Sequence, residues 1–123
     1  MGIIQAVRGY GVGLSVSGSN AVASGSGFVG CGNAGSTNTP GTTVSGGSGN
    51  YSFLWERVGD PATRGPWVIS NATVQNPSWR APGPVCDGDA NSVETWKLSV
   101  TDNSTGQLGS MQRTVTILWA DLR

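Results

Sequence analysis

The chain has 123 residues, 20 of them glycine, with only 11% charged residues and a formal net charge of zero. That length holds one domain around a single two-layer core, with room for an arm or tail. Lys97 is the only lysine among seven basic residues; with no Lys/Arg cluster, a nucleic-acid footprint and an electrostatic membrane-surface module are both excluded from the expectation.

Residues 1–20 form the first unit. Ile3, Ile4, Val7, Tyr10, Val12, Leu14 and Val16 make it apolar, and from Tyr10 to Val16 the larger side chains recur at every second position, the period of a strand. Two readings follow: an ordinary first strand, or an extended arm that docks on a neighbouring subunit, with Ile3, Ile4 and Tyr10 as its contacts. There is no continuous apolar run of the kind a secretory signal needs, and the one early charge, Arg8, follows the apolar residues; synthesis in a cytoplasm without a cleaved leader is expected.

Residues 21–41 are rich in Gly, Ser and Asn. Phe28, Val29 and Cys31 point to a short edge strand over Ser26–Cys31, followed by a loop that turns at Pro40-Gly41. Thr42–Ser45, the glycine-rich reversal 46–50 and Tyr51–Val58 then read as a hairpin-like unit. Tyr51, Phe53 and Trp55 share one face of its second strand, because side chains alternate across a strand. Short strands are expected at Trp67–Ile69 and Ser78–Ala81, where Pro77, Pro82 and Pro84 forbid a long central strand. Val93–Thr101 and Ser110–Trp119 are the clearest strands. The first places Trp96, Leu98 and Val100 on one face, the second Val115, Ile117 and Trp119. Six to eight short strands spaced by turns predict an all-β sandwich.

Catalytic chemistry is sparse. The chain has no histidine and one lysine, so the usual proton acceptors for a nucleophile are nearly gone. Glu56 and Glu94 read as solvated strand carboxylates, and no enzymatic activity is expected. Asp87, Asp89 and Asn91 have the alternating oxygen spacing of a calcium loop, but Ser92 and Leu98 stand where that loop requires Gly and Glu. No metal or cofactor is expected. Cys31 and Cys86 lie far apart in sequence without a CxxC partner. A secreted sandwich would pair them and a cytoplasmic product would leave them reduced; the fold must first bring them together. Of the five tryptophans, Trp55, Trp79, Trp96 and Trp119 read as core. Trp67, in a loop between Pro66 and Val68, is the candidate for an exposed anchor, since tryptophan is enriched at contact hot spots.

Several segments together carry a resemblance. SGGSGNYSFLWERVGD, NPSWRAPG, ETWKLSVTDNSTG and RTVTILW resemble the immunoglobulin-like and PKD-like sandwich modules of tailed-bacteriophage virion proteins. The matching positions are Gly46, Gly47, Gly49, Tyr51, Phe53 and Trp55, then Val100, Thr101 and Asp102, then Gly106, and last Val115, Thr116 and Ile117. The likeness covers roughly residues 21–119. It departs after Trp55, where PKD modules continue into Gly-Asp-Gly and this chain has Glu56-Arg57-Val58-Gly59-Asp60. Cys86 also precedes the strand that would carry an immunoglobulin cysteine, so the usual inter-sheet bond is not implied.

The resemblance implies a virion accessory protein, a capsid decoration or cement protein above all. Its partners would be the major capsid protein or other virion subunits, with self-association expected and a trimer natural on a quasi-threefold shell site. Its place would be the capsid surface after synthesis in the host cytoplasm. The rival is a glycan- or host-surface-binding module of a tail, fibre or bacterial adhesin, which needs Trp67 and Trp79 exposed as a platform. A tail-tube or tail-terminator component would carry a longer loop and a helix.

Overall fold

The computed structural model describes residues 13–123. The described residues form ten strands and no helix, in an all-β sandwich. In chain order these are β1 (Ser15–Gly18), β2 (Ala21–Gly27), β3 (Cys31–Gly32), β4 (Thr42–Ser45), β5 (Tyr51–Val58), β6 (Val68–Ile69), β7 (Trp79–Arg80), β8 (Val85–Cys86), β9 (Val93–Asp102) and β10 (Leu108–Asp121). One layer is a four-stranded sheet in the order β2-β10-β9-β5. Opposite it lie three short pairs, β1-β4, β6-β7 and β3-β8.

The core forms where the inner face of the large sheet meets these pairs. Trp55 on β5, Leu98 and Val100 on β9, and Val115 and Ile117 on β10 are fully buried, with Trp79 and Val85 against them. The rings of Trp55 and Trp79 meet edge to face at 5.3 Å, and Trp96 lies 5.6 Å beyond Trp79. Aromatic edges carry partial positive charge and faces partial negative charge, so this chain of rings is attractive as well as apolar.

Three details depart from the pattern expected of the sequence. β4 and β5 have the predicted bounds but do not pair with each other: β4 pairs with β1 and β5 with β9, so the 46–50 turn crosses between layers. Gly46, Gly47 and Gly49 all take positive φ there, which glycine adopts without a Cβ penalty. The strand expected at Ser26–Cys31 begins earlier, at Ala21, and runs parallel to β10. Phe28 and Val29 stand exposed in a bend. The small residues of β2 have a packing cause: a Cβ at Gly25 or Gly27 would meet the Trp119 ring at 3.0 or 2.9 Å. Trp119 is half-buried beneath this glycine surface and donates its indole N–H to Val29 C=O at 2.8 Å.

Cys31 and Cys86 are directly opposed in the β3–β8 pair and form a disulfide, with Cα atoms 4.0 Å apart. The bond closes one short pair and does not join the two layers. Residues 15–18, part of the expected first unit, are a sandwich strand, and Leu14 before them is buried in the core.

Candidate functional site

Trp67, expected as an exposed anchor, is 3% exposed and belongs to the core. Its indole N–H donates to Val115 C=O at 3.0 Å. A tryptophan beside a proline in a loop needs somewhere to put its ring, and here the loop folds inward over the sheet. Trp79 is buried as well. The other expected contacts, Ile3, Ile4 and Tyr10, lie outside the described residues.

The loop is held down by a carboxylate expected in solvent. Glu94 is 1% exposed. Its Oε2 accepts the backbone N–H groups of Ala62 and Trp67, each at 3.0 Å, and its Oε1 accepts the Trp96 indole N–H at 3.0 Å. Gly65 leaves room for this, since a Cβ there would collide with Oε2. The signal was strand parity: if Trp96, Leu98 and Val100 face inward, Glu94 and Asp102 must do so too. Glu56 is exposed, as expected.

Asp102 forms a second internal tie. It is fully buried and accepts the Ser48 N–H, the Ser48 hydroxyl at 2.8 Å, and the N–H groups of Ser104 and Thr105 at 2.8 and 3.0 Å. Burial alone would raise its pKa; the hydrogen bonds from Ser48, Ser104 and Thr105 outweigh that and hold it down at about 2. The glycine-rich turn is thus pinned to the β9–β10 turn.

Arg113 is the buried cation among the described residues. Its guanidinium lies 4.8 Å from the Trp55 ring centroid, and Nη1 donates to Pro40 C=O at 3.5 Å. Nε and Nη2 make no hydrogen bond, and burial lowers its pKa.

The acidic loop 87–91 is also occupied with local bonds. Asp89 accepts the Cys86 N–H at 2.9 Å and pairs with Arg64 at 3.2 Å; the Cys86 bond is the largest influence lowering its pKa. Asn91 accepts the Val93 N–H at 3.0 Å. Among the described residues no group of three or more His, Cys, Asp or Glu could hold a metal. A cleft lined by Asn33, Ser36, Arg80, Pro82 and Pro84 contains one charged group and no carboxylate.

What remains available on the surface is the outer face of the four-stranded sheet. Val22, Leu54, Val58, Val93, Leu108 and Leu118 point outward from it, and Leu108 is 65% exposed. These are six of the ten exposed large hydrophobic residues among the described residues, so the exposed apolar surface is concentrated on one side. Ser and Thr fill most of the positions between them. No family model, curated protein or solved structure matches the chain.

Proposed function

We propose that this protein is a bacteriophage structural protein that decorates and stabilises a capsid. The observation that carries the reading is the division of labour within the sandwich. Its buried carboxylates are committed to internal hydrogen bonds, while its exposed apolar residues gather on one open sheet face. Such a surface suits association more than chemistry on a small molecule. The assignment to a phage shell is supported by the Gly46–Trp55, Val100–Asp102 and Val115–Ile117 segments, which resemble virion sandwich modules.

In this reading many copies bind the assembled shell in preference to its dissociated or unexpanded subunits, and so shift it toward the assembled state by mass action. The segment before Gly13, with Ile3, Ile4 and Tyr10, supplies contacts to the major capsid protein. Trp67 is not among them, because it is core. The glycan-platform alternative loses its footing for a related reason: it required Trp67 and Trp79 on one exposed face, and both are buried.

The test is to mix the purified protein with expanded shells of the cognate major capsid protein and, separately, with host cells. Co-sedimentation with shells is expected. Retention on cells with none on shells would overturn the reading.

A further inference from the structure

We propose that two copies of this chain associate face to face through the outer surface of the β2-β10-β9-β5 sheet, around a two-fold axis that sets Glu56 of each copy against Lys97 of the other. Among the described residues, the outer face carries only these two charged side chains. They are neighbours, in register across β5 and β9, in the middle of the β9 outer row that runs from Val93 to Thr101. No ion pair joins them within one copy, the described ion pairs being Arg64–Asp89 and Arg123–Asp121.

One acid beside one base is complementary to its own two-fold image. In an isologous interface residue i meets j and j meets i, so the pairing forms twice and no charge is left buried alone. A foreign partner would need to present the same pair in reverse. Around it, Leu54 and Val58 flank Glu56 on β5, while Ser99 and Thr95 flank Lys97 on β9, giving apolar and hydroxyl surface of the kind that packs sheet on sheet at about 10 Å.

The area is of the right order. Strands of 7, 14, 10 and 8 residues, at about 3.4 Å rise and about 4.8 Å spacing, cover roughly 600 Å² in projection. A standard interface buries about 800 Å² per partner in accessible area, which exceeds projected area.

The experiment is sedimentation equilibrium of the full chain across micromolar concentrations. A mass twice 12.6 kDa is expected. Glu56→Lys and Lys97→Glu, each made alone, set like charges together twice across the axis, and each should weaken association by about 100-fold or more. The double variant Glu56→Lys/Lys97→Glu should restore it. Both positions are exposed, and unchanged tryptophan fluorescence will show that each variant is folded. A monomer at every concentration, a trimer, indifference to the single reversals, or failure of the double variant to recover would each overturn the proposal. The outcome is independent of shell binding: a decorating monomer would sink this inference alone, and a dimer that ignores shells would sink only the capsid reading.

Discussion

Replacing Glu94 is the sharpest test of how the sandwich is held together. Glu94→Ala removes the acceptor for three donors at once, the backbone N–H groups of Ala62 and Trp67 and the Trp96 indole N–H. An orphaned buried donor costs about 1–3 kcal/mol. Partial access of water to the opened space keeps the sum toward the low end, about 4 kcal/mol. The unfolding entropy of globular proteins is about 2.1 cal/mol/K per residue, or roughly 0.26 kcal/mol/K for a chain of 123 residues. The expected fall in Tm is therefore about 15 °C. Glu94→Gln keeps the shape and one acceptor oxygen. Aimed at the loop, that oxygen holds Ala62 and Trp67, but the amide NH2 then faces the Trp96 N–H, donor against donor. The expected cost is about 2 kcal/mol, or near 8 °C. Tryptophan fluorescence is a direct probe of the melt because Trp67 and Trp96 both touch the site. Trypsin cleavage after Arg64, which is exposed in the same loop, should accelerate in the alanine variant. A Tm within about 3 °C of the parent for Glu94→Ala would show that the carboxylate does not anchor the loop.

Three further outcomes follow from the same structure. Asp102 has a folded pKa of about 2, against 3.8 for a free aspartate; a depressed carboxylate contributes stability above its unfolded pKa that is lost as pH falls through the folded one, so Tm should decline between about pH 4 and pH 2, and Asp102→Asn should lower Tm at pH 7 and flatten that decline. Replacing both Cys31 and Cys86 by serine releases a link between positions 55 apart, and chain entropy gives an upper loss of about 4 kcal/mol, read as a fall in the urea midpoint with a reduced parent behaving alike. Gly47→Ala puts a Cβ into the Asp102 carboxylate at a positive-φ position, and should destabilise by at least about 1 kcal/mol, whereas Gly83→Ala, with open space around it, should be nearly silent in the same melt.

Much of the architecture was legible because the long strands announce themselves by alternation. Tyr51–Val58 carries its aromatics at every second position, and the observed strand has those bounds. Val93–Asp102 extends the predicted segment by one residue. What alternation cannot supply is the partner of each strand. The glycine turn after Ser45 looks like a hairpin reversal, yet its path is set by Asp102, more than fifty residues later, which gathers Ser48 to itself. β2 was obscured for another reason: its Ala, Ser and Gly have little apolar signal of their own, and their smallness makes sense only against the Trp119 ring.

The site residues show a bias of residue type over position. Charge alone argues for the surface at Glu94 and Arg113, although each falls on the parity of a buried row, Glu94 with Trp96 and Leu98, Arg113 with Val115 and Ile117. Trp67 shows the converse, a loop tryptophan whose ring is core. The outer face becomes one surface only through the β5–β9 register, which sets Leu54 beside Ser99 and Glu56 beside Lys97.

Docking to a shell is read from occupancy. Shells titrated with the full chain should saturate at a fixed ratio of bound copies to capsid subunits. A chain lacking residues 2–12, which leaves Leu14 and β1 in the sandwich, should stay folded and lose most of that binding. No saturable binding of the full chain, at concentrations where it is folded, would contradict the account; undiminished binding by the shortened chain would remove Ile3, Ile4 and Tyr10 from it.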